Sequence, residues 1–472
     1  MKKFHLVFYI IFILALIFVQ CVHRISLPPL VHLEPTPHGI LIKKVTLFNG
    51  NPEDAIQTKV DILIKRGKVL KIGKNISEPG PIKRIDGNGK IAIPGLIDTH
   101  VHIHSPGAPP SMTVLPNPER TLTQFLFAGV TTIFDTGGPL KSLHEVSQKL
   151  DSGKILGPRF FYSGELFTKR NGHPVPLIKY LAPWPIEIFL IRESVFQIQE
   201  KSKISKQIQK NKKFGAKFTK IVVDRIPLDA PTLDEGDIRK IVRASKKVKF
   251  PVLAHIGTEQ DIQTAMKGGV THFIHGPYRS AISDETIRMM KENEVIMAPT
   301  VNVFNNISLF YQRELVFYDL DKKIADPEIL EGYQHQKVKG TDRQFLNWAL
   351  DMNKFMEQKF ENVKKMKKAG IPLIAGSDSA NVGSVAGSSL HRELELLVEK
   401  CNFTPIEAVS AATYLPGKLF QEMTGIRDLG HVVEGGPADL VILNGDFRED
   451  IRNTTKINMV ISKGMIVKRE VF

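Results

Sequence analysis

The sequence predicts an α/β fold: a (β/α)8 TIM-type barrel with a small β-sandwich side domain built from both chain termini. Three observations lead there. Between residues 92 and 375, eight short apolar segments alternate with helical patterns, the layout of a closed parallel barrel with helices outside. On either side of that block the texture changes to strand-like runs separated by turn residues. Histidine, lysine and aspartate also recur at the ends of the apolar segments, where barrel enzymes place their chemistry.

Composition bounds the alternatives. The 472 residues are 42% apolar and 24% charged, which is ordinary for a globular protein. A disordered chain, a collagen-like repeat and a polytopic membrane protein are excluded. Only two cysteines occur, Cys21 and Cys401, so no disulfide framework holds the fold. Lys and Arg outnumber Asp and Glu by 64 to 49, for a net charge of +15. The basic clusters at 201–213 and 364–368 are spaced as solvated helix faces, and no nucleic-acid motif accompanies them. No nucleic-acid partner is expected; a homo-oligomer is left open.

Residues 1–22 read as a signal or anchor segment. Lys2 and Lys3 precede an apolar run from Leu6 to Val19, the layout of an export signal. The run is shorter than the roughly 20 residues that span a bilayer comfortably. Cys21 stands where a bacterial lipoprotein carries its lipid, although Gln20 before it is larger than that motif prefers. The expectation is an exported protein. It is membrane-anchored as a lipoprotein or through an uncleaved N-terminal anchor, or else periplasmic or secreted. Residues 23–37, rich in proline and polar groups, read as a tether.

The first part of the side domain is expected over 38–92. Strand patterns at 40–48, 60–65 and 68–72 are separated by Gly50-Asn51-Pro52 and Arg66-Gly67. The barrel is expected over 93–426, with strands at 92–102, 131–134, 160–162, 218–223, 252–254, 272–275, 295–298 and 372–375. Helical patterns at 140–150, 235–248, 284–293 and 344–369 lie between them. Strands at 438–443, 459–462 and 465–468 complete the side domain over 427–472. Two connections are long, 165–210 and 300–343. They follow strand ends and carry Trp184, Phe189, Tyr311, Phe317 and Tyr318, which makes them candidates for a lid over a substrate.

The strongest chemical signal is Pro94-Gly95-Leu96-Ile97-Asp98-Thr99-His100-Val101-His102. Two histidines spaced i, i+2 at the end of an apolar strand point to one side and form half a zinc site. His104 lies one step further out. Lys220 ends an apolar stretch, where a bare cation facing inward would be costly. Carbamylated by carbon dioxide, it would become an anion able to bridge two metals. His255 and His275 end consecutive strands. His272 and His275 differ in parity, and the position of His275 before Gly276 favours it as the ligand. Asp378 closes the last strand, able to bind metal and move a proton.

This set resembles the amidohydrolase superfamily, in its imidazolonepropionase-like and Xaa-Pro dipeptidase (prolidase-like) branch. Ala411-Ala412-Thr413 and the run from Gly425 to Leu443, with Gly435-Gly436-Pro437-Ala438-Asp439, resemble the closing signature of that family. The resemblance implies two divalent metal ions, taken as zinc. His100, His102 and Asp378 would hold one, and His255 and His275 the other. Carbamylated Lys220 and a hydroxide would bridge them. It gives Asp378 and His173 catalytic roles, with His173, in Asn171-Gly172-His173, facing the substrate. Tyr278 would contact a substrate carboxylate or carbonyl. Three positions depart from the pattern: Asn171 for Gly, Ile274 for Glu and Ser377 for Thr. They bear on the substrate and remove no ligand.

The implied activity is metal-dependent hydrolysis of a C–N amide bond in a dipeptide, such as an Xaa-Pro type, or a related small amide. Cyclic-amide and ester or lactone hydrolysis lie within reach of the same centre. A surface lipoprotein with a retired catalytic site is the reading from another class, opposed by the intact ligand set. Deamination usually needs one metal and no bridging lysine, so Lys220 counts against it.

Overall fold

A computed structural model describes residues 23–24, 27–335 and 343–470. Cys21 and the rest of the expected signal or anchor segment lie outside the described residues. The fold is α/β, with two parallel sheets and one large mixed sheet carrying most of its strands. Among the described residues no helix is long and apolar enough to cross a membrane.

One parallel sheet joins Leu96–Val101, Val130–Asp135 and Arg159–Tyr162, with the second strand in the middle. The other holds six strands. Leu166–Lys169 lies between Val195–Ile198 and Thr219–Val222, and Val252–His255, His272–Ile274 and Ile296–Ala298 follow in order. Backbone bonds bridge the two sheets at both ends. The Lys217 amide donates to the Tyr162 carbonyl at 2.9 Å. On the other side the segment after Ile371 stands between the sheets. The Ile374 amide donates to Met297 at 2.9 Å and the His102 amide to Ser379 at 2.6 Å.

The strand expected at 372–375 is thus reduced to isolated bridges, Met297 with Leu373 and Val101 with Ser379. Pro372 has no N–H to give a ladder. The Ser377 amide is turned to the Asp98 carboxylate instead.

Most of the parallel strands are buried on both faces, as parallel sheets covered by helices require. On the inner side Ile97, Phe134, Phe161, Phe218, Leu253 and Ile374 form one cluster, which floors the site. On the outer side apolar helix faces pack against the strands, for example Leu122 and Phe125 of Pro118–Phe127 and Ile238 and Ile241 of Glu235–Lys246. Asp234 caps the latter helix, accepting from the Asp237 amide at 2.8 Å.

The mixed sheet draws on both ends of the chain. Its strands run Val31–Glu34, Met465–Arg469, Ile457–Ser462, Leu440–Leu443, Ile91–Pro94, Ile40–Leu47, Gln57–Lys65 and Lys68–Gly73, with Lys83–Asp86 added beside Ile40–Leu47. The hydrogen bonding is continuous, so the layers expected of a sandwich belong to one sheet. The pairing of Ile40–Leu47 with Gln57–Lys65 slips twice, and such slips bend strands. Its inner faces share a core that includes Ile42, Ile62, Leu440 and Ile461.

The reading of 23–37 as a tether is corrected. Val31–Glu34 is an edge strand, and His23–Arg24 pairs with Val114–Leu115. Strands of four and two residues beside Pro28 and Pro29 leave too little alternation to read. Between Ile91–Pro94 and Leu96–Val101 stands Gly95 alone. A Cβ there would meet Thr131 Oγ1 at 2.2 Å, so only glycine lets the chain pass from one sheet to the other.

The long connections are structured. The first contains Leu166–Lys169, helices Val175–Leu181 and Ile186–Ser194, and Val195–Ile198. The second contains helices Val301–Gln312, Asp319–Ile324 and Pro327–Gln334 before the long helix Arg343–Lys368.

Candidate metal centre

Local backbone irregularities aim the site residues. Ile97 belongs to the inner cluster, so strict alternation would turn Thr99 inward and His100 outward. The pairing with Val130–Asp135 slips by one residue between Asp98 and Val101, and such bulges re-aim side chains beside active sites. Both imidazoles then meet Asp378. His272 stacks over Phe420, a member of the inner apolar cluster, at 6.0 Å. His275 has the opposite parity, but the strand stops at Ile274 and His275 takes a φ of 82°, which redirects it to the site. Asp378 also has a left-handed φ, 55°; its amide donates to the His100 carbonyl at 2.8 Å.

Three Lewis bases converge. His100 Nε2 and His102 Nε2 are 3.2 Å apart, and they lie 3.2 and 3.3 Å from Asp378 Oδ1. Ligands held about 2.1 Å from a tetrahedral cation stand about 3.4 Å apart, so the triad has the spacing of one coordination sphere. His275 Nδ1 is 3.9 Å from Asp378 Oδ2. One donor atom each from His100, His275 and Asp378 lies within 4.8 Å of the others. Asp378 Oδ1 is buried without a hydrogen-bond partner beside the two imidazole nitrogens. Buried polar atoms are rarely left so, and a cation would satisfy such a cluster. The residues therefore fit a divalent metal.

The tautomer of His102 is fixed, because Nδ1 donates to the Gly137 carbonyl at 2.9 Å and leaves Nε2 free as a donor atom. His275 Nδ1 lies 2.7 Å from Thr300 Oγ1. The His255 and His275 ring centres are 4.0 Å apart, and His173 lies 5.1 Å from His255. His104 is outside the cluster, with Nε2 at 2.7 Å from Ser142 Oγ.

Burial sets the charges. It pushes His100 and His173 down to about 3, helped by Lys220 and by His255 respectively. These rings are neutral at pH 7, the form that binds metal. Burial alone would raise Asp378, but His100 and His102 outweigh it and hold the carboxyl well below its usual range. Burial brings Lys220 down to about 7, against the pull of Asp378 and Asp135. A large fraction of Lys220 is thus a free amine near neutrality.

A second tier supports these residues. Asp98 accepts from the Ser377 amide at 2.9 Å and from the Ser377 hydroxyl, and burial raises it to about 7. Ser377, where the resemblance leads one to expect Thr, still supplies that hydroxyl. Asp135 accepts from the amides of Ile103 at 2.8 Å and Gly137 at 3.1 Å. Asp224 accepts from the Tyr278 hydroxyl at 3.0 Å, from the Arg225 amide at 2.7 Å and from Arg279. It also lies 3.3 Å from His255 Nε2. Gly257 makes room for it, since a Cβ there would stand 2.4 Å from that carboxylate.

Tyr278 is placed differently from the expectation of a substrate contact. It is fully buried, its hydroxyl is given to Asp224, and the Trp348 indole N–H donates to it at 3.0 Å. Trp348 forms the wall in front of it. None of Asp98, Asp135, Asp224, Arg279 or Thr300 was singled out from the sequence. Asp224, just past an apolar strand, carries the same signal as Asp378.

A cavity with an empty volume of about 560 Å³ opens over Asp378, His173, His255 and His275. Its other walls are mostly apolar: Leu177 and Leu181 from one long connection, Phe304 and Tyr311 from the other, and Trp348.

The sequence profile of the Amidohydrolase family matches residues 91–467. A dihydroorotase of Aquifex aeolicus is 24% identical over 413 residues, covering 85% of this chain and 89% of that one. A crystal structure of a Xaa-Pro dipeptidase with bound methionine in the active site has a TM-score of 0.71 and 21% identity. It covers 91% of this chain and 100% of its own. A putative prolidase from Bifidobacterium longum has a TM-score of 0.71 and 24% identity, with 92% and 96% covered. At these identities the two structures establish a shared fold.

Proposed function

The chain belongs to the amidohydrolase family and is a hydrolase acting on C–N bonds, and from that premise we propose that it cleaves the amide bond of a small apolar dipeptide. An Xaa-Pro type fits best. The observation that carries this is Asp378 set 3.2–3.3 Å from two imidazole nitrogens beneath an apolar cavity. In this reading Leu96–Val101, Val130–Asp135, Arg159–Tyr162, Thr219–Val222, Val252–His255, His272–Ile274 and Ile296–Ala298, closed by the segment after Ile371, are one eight-stranded barrel, and the mixed sheet is its side domain.

His100, His102 and Asp378 would hold one divalent cation, and His255 and His275 a second. Zinc is the choice, with carbamylated Lys220 between the two. Bound there, the cations would supply an activated water and polarise the scissile carbonyl. Asp378 accepts the proton of the attacking water. It then gives that proton to the departing amine, which as an anion would be too basic to leave. His173, buried beside His255 and lining the cavity, would stabilise the carbonyl oxygen as charge develops there. Leu177, Leu181, Phe304 and Tyr311 enclose the apolar part of the substrate, for which a proline ring is suited, and keep water from the reacting carbon.

The dihydroorotase relative favours a cyclic amide as the second reading. The apolar walls favour the dipeptide. A dipeptide panel and a cyclic-amide panel, assayed with added zinc and bicarbonate, separate the two. Cleavage of Xaa-Pro substrates that disappears in His100→Ala supports the proposal. Equal rates in both proteins refute it. Near-zero metal in protein grown with zinc and bicarbonate would favour a retired centre.

A further inference from the structure

The large apolar side chains left exposed are not scattered. Among the described residues all of them but Leu70 lie in segments that leave the carboxyl ends of the parallel strands. That is the end at which the candidate metal centre opens.

Two lobes flank the cavity. One continues from the wall residues Leu177 and Leu181 to Trp184, Ile188 and Phe189, which are exposed. The helix that carries the last two, Ile186–Ser194, buries none of its residues although most of them are apolar. The other lobe rests on a small cluster that contains Val114 and Phe310, with Phe317 packed on it. Beside these, Leu115, Val316 and Tyr318 point outward. Tyr180 and Tyr311 join the two lobes through a hydrogen bond. Single exposed apolar residues need no explanation, whereas a face that gathers nearly all of them marks an interaction surface.

The path of the chain indicates what covers it. The strand His23–Arg24 pairs with Val114–Leu115, so the residues next to the expected anchor segment stand at this same face. In the sequence that segment is Lys2-Lys3 followed by the apolar run from Leu6 to Val19. The whole chain carries +15, a charge attracted to anionic lipid headgroups. We propose that this face docks on a lipid bilayer, with Trp184, Ile188 and Phe189 in the interface and the cavity mouth turned toward the membrane. The inference extends the expectation of membrane anchoring and does not depend on which bond is hydrolysed.

The test uses full-length protein on vesicles of mixed phosphatidylcholine and phosphatidylglycerol. The chain has two tryptophans: Trp184 is 73% exposed and Trp348 is 8% exposed. The expected result is a shift of emission to shorter wavelength on vesicle binding and quenching by lipids brominated in their acyl chains. Both effects should be lost in Trp184→Phe. An N-terminal anchor alone would hold the protein on vesicles and leave Trp184 in water. Unshifted, unquenched Trp184 emission from protein that floats with the vesicles therefore overturns the proposal. A shift that grows with protein concentration in the absence of lipid would mean that a second copy covers the face, and overturns it too. A lipid-independent shift at all concentrations would mean that the N-terminal segment folds over the face, with the same consequence.

Discussion

Replacing Asp224 by Asn keeps the shape of the side chain and removes its charge. In the native protein four groups converge on that carboxylate: the Tyr278 hydroxyl at 3.0 Å, the Arg225 amide at 2.7 Å, the Arg279 guanidinium and His255 Nε2 at 3.3 Å. Asn has a single acceptor oxygen, so it can accept from Tyr278, which binds Oδ2, or from Arg225, which binds Oδ1, but not from both. What it loses is the charge opposite Arg279, whose side chain is 8% exposed. Stranding one partner of a buried ion pair costs about 3–5 kcal/mol. A neutral hydrogen bond contributes about 0.5–1.5 kcal/mol, so the ion pair decides the outcome. Asp224→Asn should therefore lower the unfolding free energy by about 3–5 kcal/mol. Tyr278→Phe, which strands only the Trp348 donor and one lone pair of Asp224, should lower it by about 1–3 kcal/mol.

The pH dependence has a definite sign. Burial alone would raise the Asp224 carboxyl, and His255 and Arg279 hold it below the ordinary value of 3.8. Its stabilisation is present above that value and is lost as pH falls toward the lower, folded-state value. The variant should lack this acid-side loss. The second readout is metal. Removing a partner of a ligating histidine weakens affinity by about 10–100-fold, so zinc titration against a competing chelator should move by that factor. Urea unfolding of metal-free protein, followed by tryptophan fluorescence, gives the first number. If Asp224→Asn unfolds within about 0.5 kcal/mol of the native chain and binds zinc unchanged, this network does not hold His255 and the reasoning fails.

Three further outcomes are expected. At fixed dissolved carbon dioxide, a carbamate signal from labelled carbon should grow as pH rises through about 7, where Lys220 loses its proton, and should be missing in Lys220→Met. Thr300→Val, which removes the partner 2.7 Å from His275 Nδ1, should weaken zinc binding by about 10–100-fold, while Thr300→Ser retains it; equal affinity in all three proteins would contradict the assignment. Ser377→Ala takes one donor from the buried Asp98 and should destabilise by about 1–3 kcal/mol, with Ser377→Thr near native in a urea titration.

The residues that ended apolar segments were legible in the sequence, because a strand that stops on a polar side chain at a barrel mouth has few other reasons to carry one. His100, His102, His255, Lys220 and Asp378 were singled out in that way. Alternation alone would have misplaced two histidines. His100 faces the site through a one-residue slip against the neighbouring strand, and His275 through a left-handed backbone. The slip has no residue signature, whereas Gly276 directly after His275 marks the left-handed turn. The helices inside the first long connection were hidden for another reason. Val175–Leu181 and Ile186–Ser194 begin after Pro174 and Pro185 with no side-chain cap, so the usual start signals are missing and the segment reads as loop. Val31–Glu34 was masked by its length and by two prolines. Asp224 follows an apolar strand as Asp378 does and was available on the same grounds.

The two parallel sheets and the candidate metal centre meet in the same few bonds. Where the first strand approaches the segment after Ile371, the Asp378 amide donates to His100, the His102 amide donates to Ser379, and Ser377 donates twice to Asp98. A cation drawing His100, His102 and Asp378 together would therefore act across the seam that joins the last segment to the first. Pro372 and the turning of the Ser377 amide away from any ladder leave that seam with isolated bridges only. The weak backbone pairing there frees Asp378 to take the left-handed conformation that aims its carboxylate inward. A regular eighth strand would have fixed that position in extended backbone and turned the carboxylate along the sheet normal with its neighbours. The irregular closure is thus the condition for the Asp378 carboxylate to reach the imidazoles, and the metal sites proposed here would restore across the seam the attraction that the missing ladder does not provide.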